Sequence, residues 1–196
     1  DFVPAFASEK DVNPKRSFLK RMVDFVAGPP DYRQMVRPYG ITTDSQGRIL
    51  ITDPGALCVH IFDFERKKYT HLDGAPREKF ESPIGIAVDA EDNIYETDSR
   101  LGKLLVFDSR GKFRRFLGDR GGEGYFKRPT GIAIDPREKR IYLSDTLAHK
   151  IFKLDLDGKI ISSFGGRGND PGQFNFPTDI ALRGGELIVV DAMNFR

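Results

Sequence analysis

The sequence predicts an all-β fold, a propeller of four-stranded antiparallel blades, and three observations carry that expectation. A segment of the form Pro-x-Gly-Ile-x-x-Asp recurs at Pro38–Asp44, Pro83–Asp89 and Pro129–Asp135, and in altered form at Pro177–Arg183. The four prolines stand 45, 46 and 48 residues apart. A second apolar run ending in aspartate follows each: Ile49–Asp53, Ile94–Asp98, Ile141–Asp145 and Leu187–Asp191. A third follows the first three of these, at Val59–Asp63, Leu104–Asp108 and Lys150–Asp155. Landmarks recurring in fixed order at a period of roughly 40–50 residues mark blade repeats.

Each run is four to seven residues long, which suits a strand and is short for a helix. The gaps carry turn chemistry: Asp44-Ser-Gln-Gly47, Asp108-Ser-Arg-Gly111 and Asp157-Gly158. Aspartate bonds back to its own backbone and glycine supplies positive φ. A fourth run closes each unit at Lys67–Leu72, Lys112–Leu117 and Lys159–Phe164. The innermost strands carry Gly85 with Ala87 and Gly131 with Ala133, small residues suited to the crowded axis. Residues 38–82, 83–128 and 129–176 are therefore three blades and 177–196 the first half of a fourth. Residues 1–37 are expected to be a loop followed by an outer strand over 17–28.

These motifs resemble the NHL-repeat family, whose consensus is similar to Pro-x-Gly-Ile-Ala-Val-Asp, then Ile-Tyr-Val-Thr-Asp, then Val-x-Val-Phe-Asp. The second blade matches closely through Pro83–Asp89, Ile94-Tyr-Glu-Thr-Asp98 and Val106-Phe-Asp108. His149 and Asn194 hold the family's histidine and asparagine positions. The first blade departs with Ala56-Leu57-Cys58, and the fourth with Asp179 in place of glycine. Asp191–Arg196 and the Gly168-x-x-x-Gly172-x-Phe174 linker are similar to those of bacterial six-bladed members. The resemblance implies a six-bladed ring and an extracytoplasmic location. A six-bladed ring at ~46 residues per blade needs roughly 280 residues. The 196 residues here are thus expected to be part of a longer chain, or of a ring completed by another chain.

Composition excludes little: charged residues make up 31% and hydrophobic residues 39%, with a net charge of +2. No run of 18 apolar residues marks a transmembrane helix. Cys58 is the single cysteine, so no intrachain disulfide forms; it is expected near the surface. The repeated aspartates invite a reading as a carboxylate ring, but a residue present in every blade serves the blade, and turn capping is preferred. His60, His71 and His149 show no metal-ligand spacing, and no nucleophile elbow, P-loop or dinucleotide fingerprint is present. His60 is expected to face outward. No catalytic residue, metal or cofactor is assigned.

Charge gains meaning once placed on the fold. The turns between second and third strands and the interblade linkers share one end of a blade. Those loops (54–58, 75–82, 99–103, 118–128, 146–150, 165–176 and 192–196) hold ten Lys or Arg against five Asp or Glu. Candidate binding residues at that end are Arg100, Lys103, His149, Lys150, Asn194 and Arg196, with Lys103, Lys150 and Arg196 at one recurring position. The favoured function is a non-catalytic scaffold presenting this loop face to a protein or other macromolecular partner, with a protein in an exported or surface-associated assembly expected first. Two alternatives stand beside it. The resemblance extends to propeller lyases and lactonases with a metal in the central channel, and to propellers that bind single-stranded RNA on a basic face.

Overall fold

The computed structural model describes residues 6–12 and 34–196. Within them, three four-stranded antiparallel sheets follow one another, each in simple sequential strand order, before a two-stranded sheet. The first blade comprises Ile41–Thr43, Ile49–Asp53, Cys58–Asp63 and Lys68–Leu72. The second comprises Pro83–Val88, Ile94–Asp98, Lys103–Phe107 and Phe113–Leu117. The third comprises Pro129–Asp135, Arg140–Asp145, Lys150–Asp155 and Ile160–Phe164, and the fourth Pro177–Arg183 and Glu186–Asp191. The architecture is the expected one, with strand ends shifted by a residue or so. The first strand of the first blade is shorter than expected, pairing only over Ile41–Thr43.

Local chemistry explains the regularity. Aspartates at the hairpin ends fold back on their own turns. Asp44 accepts hydrogen bonds from the backbone N–H groups of Gln46 and Arg48, Asp89 from Glu91 and Asn93, and Asp108 from Arg110 and Lys112. Asp135 and Asp155 repeat the pattern in the third blade. A register shift follows the repeat proline at Pro83, Pro129 and Pro177 alike, so proline starts the inner strand where its missing N–H costs no ladder bond.

The blades stack face to face, and the core lies between them. Leu50, Val59 and Ile61 of the first meet Ile86, Ile94 and Leu105 of the second. Tyr95, Leu104 and Val106 of the second meet Ile132, Leu143 and Phe152 of the third. Ala133 and Ile151 of the third meet Ile180 and Val189 of the fourth.

Near the axis the contact is backbone to backbone. A Cβ on Gly40 would come within 2.5 Å of the Ile84 carbonyl, one on Gly85 would overlap the Thr130 carbonyl, and one on Gly131 would lie 2.6 Å from Asp179 Cα. A hydroxyl on the second strand bridges each joint. Thr52 Oγ1 accepts from Gly40 N–H (2.8 Å) and donates to the Ile84 carbonyl of the next blade (2.6 Å). Thr97 does the same between Gly85 N–H (2.8 Å) and the Thr130 carbonyl (2.7 Å). In the third blade Ser144 Oγ takes the Gly131 N–H, and Thr146 Oγ1 reaches the Pro177 carbonyl.

The N-terminal side differs from expectation. The outer strand read over 17–28 lies outside the described residues. Residues 6–12 are not all loop: Glu9–Val12 forms one helical turn, and Asp11 holds its start through the N–H groups of Ala7 and Ser8. Phe6 and Val12 pack on Ile51 and Phe62 of the first blade. That covered side also carries Cys58 and His60. Both are fully buried, which corrects their expected surface positions. His60 Nδ1 lies 2.8 Å from the Tyr69 hydroxyl, and its Nε2 lies 3.4 Å from both Cys58 Sγ and Asp53 Oδ2.

Candidate functional site

The loop face is built by the aspartate that ends each second strand. Asp98 accepts from Glu81 and Ser82 on the preceding linker, and from Arg100 and Leu101 on its own turn, at 2.7–3.0 Å. Asp53 binds Val36 and Arg37 together with Gly55 and Ala56; Asp145 binds Lys127 and Arg128 together with Ala148. One buried carboxylate thus ties linker and turn together, and both lie at the same end of the blade. These aspartates do more than cap a turn, because each satisfies backbone donors from two separate segments. Burial alone would raise the pKa of Asp53; the N–H groups of Val36, Ala56 and Arg37, with the nearby His60, hold it below the usual carboxylate range.

Each of these turns closes on a residue of positive φ four positions after the aspartate: Leu57 (52°), Gly102 (65°), His149 (55°) and Phe195 (54°). His149 is buried there. Its Nδ1 accepts the Phe176 N–H at 3.3 Å, so the ring serves the joint with the next linker, and it meets the Phe176 ring at a tilt of 58° with centroids 4.7 Å apart. Asn194 is likewise engaged, donating from Nδ2 to the Gly168 carbonyl and to Asp191.

The basic candidates divide. Arg100 is exposed and lies 3.4 Å from Glu81. Lys150 is half-buried at the start of its strand. Arg196 folds over the linker and donates to the carbonyls of Asn169, Asp170 and Gln173. Lys103 is not on the rim. It is buried, with Nζ 3.0 Å from Glu78, 3.3 Å from Asp119 and 2.6 Å from the Gly122 carbonyl, and it lies over the Phe116 ring. Burial alone would lower its pKa, but the two carboxylates outweigh that and raise it. Two linkers close over this ammonium from either side, which sequence spacing within one blade does not reveal.

The structure adds apolar residues that the sequence reading passed over, beside basic linker residues already counted at this end. Leu147, Met193 and Phe195 stand out from the same turns, 44%, 55% and 92% exposed. Arg77, Lys79, Arg120, Lys127, Arg128 and Arg167 are exposed on the linkers. The opposite end is balanced, with eleven Lys or Arg against twelve Asp or Glu over 44–48, 63–68, 89–93, 108–112, 135–140, 155–159 and 183–186. The first strands line a recess that includes Tyr39, Ile84, Thr130, Thr178 and Asp179. Among the described residues, no three His, Cys, Asp or Glu side chains are grouped to hold a metal ion, and no helix is long and apolar enough to cross a membrane.

Comparison with known proteins agrees with this architecture. A family model described as "6-bladed beta-propeller" matches residues 81–164. Peptidyl-glycine alpha-amidating monooxygenase of Mus musculus is 25% identical over 179 residues, covering 85% of this chain and 17% of the mouse protein. NHL repeat-containing protein 2 of Gallus gallus is 30% identical over 103 residues, covering 46% of this chain and 14% of the chicken protein. Among solved structures, virginiamycin B lyase from Staphylococcus aureus superposes with a TM-score of 0.63 at 20% identity, over 79% of this chain and 49% of the lyase. The chain spans less than a fifth of these two curated relatives and about half of the lyase. Blade topology, repeat motifs and relatives agree: the fold is a β-propeller of NHL-type four-stranded blades, and the chain is similar to NHL repeat-containing proteins.

Proposed function

We propose that this chain acts as a binding propeller whose loop face docks a protein partner through mixed apolar and basic contacts. The observation that carries the reading is the exposure of Leu147 and Met193 on turns whose backbone is tied down by buried aspartates. Large apolar side chains held out by a rigid support supply the desolvated centre of an interface, and the surrounding Arg and Lys supply its polar rim. The balance of charge favours an acidic partner surface.

Photo-crosslinking amino acids at positions 147 and 193, used in native extract and read by mass spectrometry, should give discrete protein adducts. Met193→Ser should abolish those formed from position 147, and a crosslinker at position 137 on the opposite end should give none. Equal yields from both ends, or adducts dominated by RNA, would remove this reading.

An enzymatic reading draws support from the likeness to an amidating monooxygenase and a lyase. Its site would be the recess along the first strands, where Asp179 replaces the glycine of the other blades. Metal analysis of the longest natural form separates the two: a stoichiometric metal favours the enzyme, and its absence with retained crosslinking favours the scaffold.

A further inference from the structure

Among the described residues, Glu96 is a fully buried carboxyl group that neither the blade turns nor the loop face uses. It stands at the middle of the second strand of the second blade, directly opposite Ile86 on one neighbour and Leu105 on the other. The other three blades place Ile51, Leu143 and Val189 at this position. The side chain is fully buried, and neither carboxylate oxygen has a hydrogen-bond partner among the described residues. Its side of the strand is the one that meets the first blade, within the cluster of Leu50, Val59, Ile61, Ile94 and Leu105.

We propose that Glu96 is held as the neutral acid and makes the joint between first and second blades proton-dependent, so that losing the proton separates them at this apolar cluster. An ionised carboxylate stranded among aliphatic side chains is far costlier than a neutral one. The surrounding charges offer it no rescue. On its own strand, Asp98 is the nearest titratable group and repels it. On the third strand, Lys103 shares its side but is committed to Glu78 and Asp119. The inner strand presents Ile86. On the facing side of the first blade, strand alternation places Asp63 and Lys68 with Val59 and Ile61, and Arg48 with Leu50, but all three at the far end of the sheet, where Arg48 is committed to Asp44 and the Ser109 carbonyl. Asp53 and His60 lie on the other side of that blade, and the linker contributes apolar Ala75 and Phe80 beside a separate Asp73–Lys79 pair. Burial therefore pushes Glu96 well above the usual carboxylate range and Asp98 adds to the effect, while the Ile84 backbone opposes it without reaching hydrogen-bond geometry.

The sign is the reverse of ordinary acid denaturation. Below the unfolded-state value both states hold the proton. Above it the unfolded chain releases a proton that the folded chain retains, so stability falls as pH rises. The unfolding constant should grow tenfold per pH unit from about pH 5 upward, until the folded state itself ionises. Denaturant titrations across pH should show this slope in the wild type and lose it in Glu96→Gln. Protease cleavage within linker 73–82 should accelerate along the same pH axis in the wild type alone. If the amide variant does not fold, Glu96→Leu, which copies Leu143, carries the same comparison. Direct observation of the Glu96 carboxyl carbon by NMR in the folded wild type should give a midpoint far above ordinary glutamates. Parallel pH profiles for wild type and variant, or a Glu96 midpoint in the ordinary range, would overturn the proposal.

Discussion

The second and fourth blades share their landmarks but not their joints. Both begin their inner strand at a proline, shift register just after it, and end the second strand in a buried aspartate. The second adds Gly85 and Thr97, and the third blade closes against them through the Thr130 carbonyl. At the same positions the fourth has Asp179 and Val190, so it lacks both the vacant Cβ space and the bridging hydroxyl. Among the described residues nothing covers its forward side, where Ile188 and Val190 are about half exposed at 50% and 49%. The difference teaches that proline and aspartate shape a blade, whereas a small residue and a hydroxyl join it to the next. Any element seated on the fourth blade must do so by other contacts, since a carbonyl approaching as Ile84 and Thr130 do would meet the Asp179 side chain.

The largest effect should come from filling the joint. Gly85→Ala places a methyl group against a backbone carbonyl that cannot move without its strand, and overpacking of this kind costs about 1–3 kcal/mol, at the upper end here. Gly131→Ala should behave alike, because it meets backbone of Asp179. Asp179→Ala, at the open position, should change stability by less than about 0.5 kcal/mol. Chemical denaturation of the three variants breaks the comparison if their costs are equal.

Next in size is Asp98→Ala. It strips partners from four backbone donors on two segments, so the cost should exceed that of an ordinary cap and reach about 3 kcal/mol. Asp108→Ala, which frees one hairpin turn and a largely exposed Arg114, should cost about 1 kcal/mol. Melting curves of the pair test whether the second-strand aspartates are the blade's main polar anchor. Asp53 offers a check on sign. Its lowered pKa means that its contribution is present above the unfolded value and is lost as pH falls through the folded one. Asp53→Asn should therefore flatten the acid limb of the stability curve.

How much of this was legible in the sequence follows from the range of the interactions. The blades were readable because proline, glycine and aspartate act on neighbouring backbone and recur with the repeat. The role of the second-strand aspartates was half readable: the turn they cap lies two or three residues away, while the linker they also hold lies 16 to 18 residues upstream. Lys103 was misplaced because its burial depends on Glu78 and Asp119, from linkers on either side of the second blade. Cys58 and His60 were misplaced because strand alternation names two sides of a blade but does not say that residues 6–12 cover one of them. Glu96 stood in plain view as the single charged residue at a position otherwise held by Ile51, Leu143 and Val189.

A single hydroxyl, removed from one joint and added at the other, is the most discriminating change, and its addition has the smallest expected effect. Thr97→Val removes the bridging hydroxyl and leaves the Gly85 N–H and the Thr130 carbonyl without that partner, at a cost of about 1–3 kcal/mol. Val190→Thr makes the opposite change in the fourth blade. Its new hydroxyl would face an open side, where water satisfies polar groups, and Asp179 already engages the neighbouring Ile180 N–H with its own carboxylate. The substitution should therefore shift stability by less than about 0.5 kcal/mol in this chain. Combining it with Asp179→Gly rebuilds both halves of the joint. In the 196-residue chain that double variant should remain near neutral, because none of the described residues closes on the fourth blade. In a longer natural form that carries a further blade, the same pair tests whether the joint alone decides the contact. A gain in stability there, absent from the short chain, would show that the irregular joint costs the ring stability. No gain would show that the following element has its own partner for Asp179.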